Sequence, residues 1–223
     1  MTSKLKTAIL ISGRGSNMQA LVSAAQESDF PAEIVTVIAN DPAAAGLTWA
    51  SEQGISTDVV NHKEFGSDRQ AFEKALHEKI LPTGAQLVCL AGFMRLLTPW
   101  FVEQWKDRLV NIHPSLLPSF PGIHVHEKAI EYGVQFSGCT VHYVRAEMDH
   151  GPIIVQAAVP VKADDTSDTL AARVLESEHK IYPQALRWIA ENRVNVINEK
   201  CFITDTDIPN SMMCPVESQE GRS

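Results

Sequence analysis

Apolar and polar positions follow two distinct periods along the first half of the chain. Thr7-Ala8-Ile9-Leu10-Ile11-Ser12 is a short apolar run with β-branched members that stops at Gly13, the pattern of a strand buried on both faces. From Asn17 to Glu27 the apolar residues Met18, Leu21, Val22 and Ala25 recur at i, i+3, i+4 and i+7, one face of a helix. Residues 34–39 predict a second buried strand, closed by Asn40-Asp41-Pro42, and residues 43–53 a helix ended by Gly54 at C′. A short strand over 57–60 and a helix over 68–81 follow, with Asp68 placed favourably at the positive helix end. Strands over 87–91 and 109–111 complete the series.

The second half changes rhythm. After Asn111-Ile112-His113 runs an irregular segment studded with Pro114, Pro118, Pro121 and Gly122. Residues 127–132 predict a short helix ended by Gly133. Residues 139–144 and 153–161 predict two antiparallel strands around the turn Asp149-His150-Gly151-Pro152. A long helix is expected over 166–192, with Thr166 and Asp168 as caps and Leu170, Val174, Ile181, Leu186 and Ile189 available for packing. Val194, Val196 and Phe202 suggest a closing hairpin. Residues 1–208 then make one α/β domain, and 209–223 a polar tail expected to fray. Alternating strands and helices imply a mostly parallel, twisted sheet with helices on both faces. Ligands of such sheets bind beyond the carboxyl ends of the strands, where the strand order switches.

Composition narrows the function. The 223 residues carry 19 Lys or Arg against 27 Asp or Glu, a formal charge of −8. An extended polyanion prefers a basic surface, so nucleic acid and anionic membranes are not expected partners. No apolar run is long enough for a membrane helix, and the N-terminus lacks a signal-peptide core. Cys89, Cys139, Cys201 and Cys214 form no C-x-x-C pair, and scattered thiols suit a reducing cytoplasm.

Three places could carry chemistry. Ser12-Gly13-Arg14-Gly15-Ser16-Asn17 lies between strand and helix, where glycines and the helix start can bring backbone N–H groups to a phosphate. It is equally a plain strand-to-helix turn with Ser or Asn as N-cap. Met18 stands where a dinucleotide fingerprint needs its third glycine. Asn111 and His113, two apart at a strand end, share one face, so an amide and an imidazole can converge on a developing oxyanion. Alternatively, Asn-x-His at a strand end is a turn feature. Asp149 is by default turn chemistry. Folded back beside His113, it would favour the protonated ring and fix its orientation. The histidines at 113, 124, 126 and 142 match no metal-ligand spacing, so no metal is expected. Glu178 and His179 read as a solvated helix face, the tryptophans as packing. No serine or cysteine sits as a covalent nucleophile.

Taken in order, S-G-R-G-S-N at 12–17, L-A-G-F-M-R-L-L at 90–97, N-I-H-P-S-L-L-P at 111–118, F-P-G-I-H-V-H-E-K-A at 120–129 and M-D-H-G-P-I-I-V-Q at 148–156 resemble the phosphoribosylglycinamide formyltransferases. The likeness covers about residues 7–192 and implies the Rossmann-like formyltransferase fold. It also implies transfer of a formyl group from 10-formyltetrahydrofolate to glycinamide ribonucleotide in purine biosynthesis, with no metal. Carried over residue by residue, it implies Asn111, His113 and Asp149 as the catalytic trio. Gly15, Ser16, Asn17 and Glu178 would hold the ribonucleotide. Arg69, Met94, Arg95, Leu96 and Leu97, together with Asn111, would hold the folate. The N-terminal half would be ribonucleotide-binding and the C-terminal half folate-binding and catalytic. The partners implied are these small molecules alone, with the chain a monomer or homodimer in the cytoplasm. Departures are small: Arg14 occupies a variable loop position, and His150 stands where relatives also carry glycine.

Four other readings compete. A formyltetrahydrofolate hydrolase would use the same trio with water as acceptor. It is expected to carry an extra N-terminal domain, for which little room precedes Thr7. A methionyl-tRNA formyltransferase would need a C-terminal RNA-binding domain and a basic surface. A nicotinamide dehydrogenase could use Asp41 on a ribose but lacks the glycine fingerprint. A non-enzymatic nucleotide-binding module would leave Asn111, His113 and Asp149 without a role.

Overall fold

The structure, a computed structural model, describes residues 3–207. The tail expected over 209–223 lies outside the described residues, as does Cys214.

Strand β1 (Leu5–Ile11) runs at the centre of the molecule because its residues alternate between two apolar cores. Ile9 and Ile11 face one, with Met18, Leu21 and Val22 of helix α1 (Ser16–Ala25) and Ala185 and Leu186 of the last long helix. Ala8 and Leu10 face the other, with Phe72, Leu76 and Ile80 of a second helix. Burial on both faces explains why β1 reads as a continuous apolar run.

In chain order there follow β2 (Ala32–Ala39), α2 (Ala45–Glu52), β3 (Thr57–Val59), α3 (Arg69–Ile80), β4 (Leu87–Leu90), α4 (Pro99–Gln104) and β5 (Leu109–His113). Then come α5 (Val125–Glu131), β6 (Phe136–Tyr143), β7 (Ile153–Pro160), α6 (Ser167–Ala190), β8 (Val194–Ile197) and β9 (Lys200–Ile203). The seven-stranded sheet has the order β3-β2-β1-β4-β5-β6-β7, parallel from β3 to β5 and antiparallel at β6 and β7. Strands β8 and β9 form a separate antiparallel hairpin. The α/β expectation holds, and the order reverses between β1 and β4, so the crevice lies at the ends of those two strands.

Some local expectations need correction. Helix α4 has no counterpart in the periodicity because it is six residues long. Its signal is the Thr98-Pro99 pair, an N-cap followed by proline at the first helical position. Strand β5 runs on to His113, and β6 starts at Phe136. Thr166 caps α6 by accepting from Thr169 N, whereas Asp168 lies inside the first turn. Asp68 caps α3, its carboxylate accepting from Ala71 N.

Candidate active site

The β1–α1 loop differs from the plain capped turn. Gly15 is the N-cap, in left-handed conformation with φ 70°, and no side chain caps the helix. Neither Ser16 nor Asn17 spends its side chain on the first-turn N–H groups, which stay available to an anion. A Cβ at Gly15 would press on Met18, a second reason for glycine there. Residues 12–17, with Ala91, Gly92 and Met94 from the β4–α4 loop, line an open cleft of about 280 Å³. The two loops are joined: Ser12 N donates to Gly92 O (3.2 Å) and Met94 N to Ser12 Oγ (2.7 Å), while Ser12 Oγ donates to Asn40 Oδ1 (2.6 Å).

Glu178 does not lie on a solvated face. It is 5% exposed and accepts a 2.6 Å hydrogen bond from Asn17 Nδ2. Leu170, Val174, Glu178, Tyr182 and Leu186 follow one another at i+4, so the carboxylate stands on the apolar stripe of α6. A glutamate in that stripe is the signal that the solvated-face reading passed over. One turn on, the buried Tyr182 hydroxyl lies 3.0 and 3.1 Å from the carbonyls of Leu90 and Val110, pinning α6 to the end of β4 and the start of β5. Burial pushes the Glu178 carboxyl above the usual range, against the Asn17 bond that lowers it. Asn17 Oδ1 is buried with no partner among the described residues, an acceptor that a ligand N–H or O–H can satisfy.

The proposed folate residues gather on the β4–α4 loop. Met94 is 75% and Leu96 58% exposed, an apolar surface left open at the crevice. Arg69, from the first turn of α3, donates to the Leu96 carbonyl, and Arg69, Arg95 and Leu96 line one hollow. Four residues on in α3, buried Glu73 accepts from Thr98 N at 2.6 Å and from the Thr98 hydroxyl. Helix α3 therefore grips this loop at two points. Glu73 is a support that the sequence reading missed.

Asn111 and His113 lie on the same face of β5, as their spacing requires. The His113 ring is buried between two acceptors: Asp149 Oδ1 lies 3.4 Å from Nδ1, and Phe120 O lies 3.1 Å from Nε2. Asp149 reaches the ring from the β6–β7 turn, 36 residues away by number (149 − 113). Its other oxygen accepts from Gly122 N at 2.6 Å, and its backbone is left-handed at φ 51°. The segment after His113 is tied down by Thr140 on the neighbouring strand, whose hydroxyl donates to Ser115 O (2.7 Å) and accepts from Leu117 N (3.0 Å).

Of the remaining histidines singled out in the sequence, His142 lies against Asn111, its Nε2 3.3 Å from Nδ2. His124 is exposed beside Glu127, and burial lowers the half-buried His126. Among the described residues no group of three His, Cys, Asp or Glu side chains is placed to hold a metal ion. Burial pushes the thiols of Cys89, Cys139 and Cys201 up to about 12, so they are not thiolates near neutral pH.

The switch-point crevice has an uncapped helix start after β1, and Asn111, His113 and Asp149 stand at the end of β5, the strand next to β4, which makes this an α/β site of the doubly wound class. Known proteins agree. A family model described as formyl transferase matches residues 5–186. The phosphoribosylglycinamide formyltransferase of Escherichia coli (strain K12) is 41% identical over 90% of this chain and 94% of its own. The trifunctional purine biosynthetic protein adenosine-3 of Bos taurus is 47% identical over 91% of this chain, which spans only 20% of that longer protein. Glycinamide ribonucleotide transformylase 1 from Symbiobacterium toebii superposes with a TM-score of 0.88 at 41% identity, over 92% of this chain and 96% of that one. A formyltetrahydrofolate deformylase from Pseudomonas putida KT2440 is more distant, at 26% identity and a TM-score of 0.80, with 90% and 70% covered. The chain belongs to the formyl transferase family, in its phosphoribosylglycinamide formyltransferase branch.

Proposed function

We propose that this chain transfers the formyl group of 10-formyltetrahydrofolate to the amine of 5-phosphoribosylglycinamide, a step of purine biosynthesis, in the cytoplasm. The observation that carries the reading is the His113 ring, buried between Asp149 and a carbonyl at the end of β5, with the Asn111 amide on the same face.

The phosphate is met by the N–H groups of Ser16 and Asn17 at the uncapped start of α1, with Gly15 shaping the approach. Glu178 accepts from the ribose hydroxyls, and Asn17 Oδ1 takes a further donor. The folate's ring system lies against Met94–Leu97, with Arg69 and Arg95 toward its anionic tail. The amine attacks the formyl carbon, a C–N bond forms, and negative charge gathers on the formyl oxygen. Asn111 and the His113 ring donate to that oxygen, the Nε2 N–H turning to it from the Phe120 carbonyl, and Asp149 keeps the ring aimed. The bond from carbon to N10 then breaks; the amine gives up a proton and N10 gains one. Asn111 thus serves both catalysis and the folate site.

Incubation with both substrates, and with each omitted in turn, tests the reading. Tetrahydrofolate formed only with both present is the expected result. Release without the ribonucleotide would select the hydrolase instead.

A further inference from the structure

One buried ionisable side chain beside the trio has no part in the chemistry above. His142 is 1% exposed and lies directly across the ladder from Asn111, the two being register partners of β5 and β6. Its Nε2 lies 3.3 Å from Asn111 Nδ2, and its Nδ1 lies 3.0 Å from the Tyr143 carbonyl. A carbonyl only accepts, so the ring proton sits on Nδ1 and Nε2 presents a lone pair. That lone pair takes one of the two N–H bonds of the Asn111 amide, which fixes which end of the amide is nitrogen and leaves the second N–H to project. Burial holds the ring below the usual histidine range, which keeps Nε2 unprotonated near neutral pH. The pairing of β6 with β7 shifts register between Val141 and His142, a bulge at the position where the side chain is aimed.

We propose that His142 is a positioning residue that orients the Asn111 amide so that its free N–H meets the formyl oxygen in the transition state. The proposal rests on the transferase reading above. It is separable from that reading because it predicts a coupling between two residues rather than an activity.

The test is a double-mutant cycle on the full chain with H142F, N111A and the pair, reading turnover and both KM values. A ring without an acceptor leaves the amide unaimed. H142F is therefore expected to lose about 10- to 100-fold in turnover, with both KM values within about threefold of the parent. In the N111A background the same change is expected to do nothing further, since no amide remains to orient. Equal losses in both backgrounds, or unchanged turnover in H142F, would overturn the proposal. Parent-like turnover in N111A would overturn the transferase reading itself, and this proposal with it. Ribonucleotide binding by H142F reports that it folds. Should it not fold, H142Q, which offers a carbonyl oxygen in place of the ring nitrogen, carries the test: turnover within about fivefold of the parent is expected, and a loss as large as that of N111A would overturn the proposal.

Discussion

Gly151→Ala should disable the site without touching any reacting atom. Gly151 has φ +133° and lies two residues after Asp149, where the chain turns into β7. A Cβ there would fall well inside contact distance of the Tyr143 carbonyl oxygen and press on Arg145 Cγ at 3.1 Å. The first obstacle is backbone, so it cannot swing aside as a side chain would. The turn must retreat by about 1 Å, and a misplacement of that size typically lowers turnover about 10²-fold. The displaced carbonyl is also the one that holds His142 Nδ1, so both the carboxylate behind His113 and the support of Asn111 shift together. Initial rates at saturating concentrations of both substrates, with a parallel thermal melt, measure the effect. Gly54→Ala is the control: its φ is +75° with nothing within 4 Å of an added Cβ, so it should lose about 1–2 kcal/mol of stability to the left-handed backbone and keep full turnover. Parent-like turnover in Gly151→Ala, or equal losses in both variants, would refute the claim that this turn sets the catalytic geometry.

Other expectations follow from the same contacts. Asn111→Ala and His113→Ala should each lower turnover by about 10²–10³, with ribonucleotide affinity by calorimetry little changed. Arg69→Ala removes the donor to Leu96 O and should raise the KM for formyl-folate about tenfold while leaving that for the ribonucleotide alone. Glu178→Gln should weaken ribonucleotide binding yet stabilise the fold. The folded carboxyl titrates above the ordinary glutamate value of 4.5, so the protonated form is the one the fold prefers. Stability is intact below that value and falls as pH rises through the folded one. Melting curves should coincide in acid and diverge in favour of Glu178→Gln toward neutral pH, where a gain of about 1 kcal/mol raises Tm by roughly 2–4 °C.

Most of the framework was legible because burial on both faces leaves unmistakable runs, as in β1, and because strand spacing alone puts Asn111 and His113 on one face. Helix α4 escaped because six residues carry too little period, although Thr98-Pro99 announced its start. Residue type alone sends Glu178 outward, whereas its i+4 spacing from Val174 and Tyr182 puts it on the buried stripe, and only the family resemblance points to it as a ribonucleotide contact. The contact of Asp149 with His113, and of His142 with Asn111, depends on β6 pairing antiparallel beside β5, a register that no local pattern encodes. The support that Glu73 gives to the loop after β4 is long-range in the same way.

The most direct test follows the carbon itself. With the formyl group of the folate isotopically labelled and glycinamide ribonucleotide present, the label should appear in the N-formyl group of the ribonucleotide, matched one for one by tetrahydrofolate. Label recovered as free formate, at a rate indifferent to the ribonucleotide, would contradict the account.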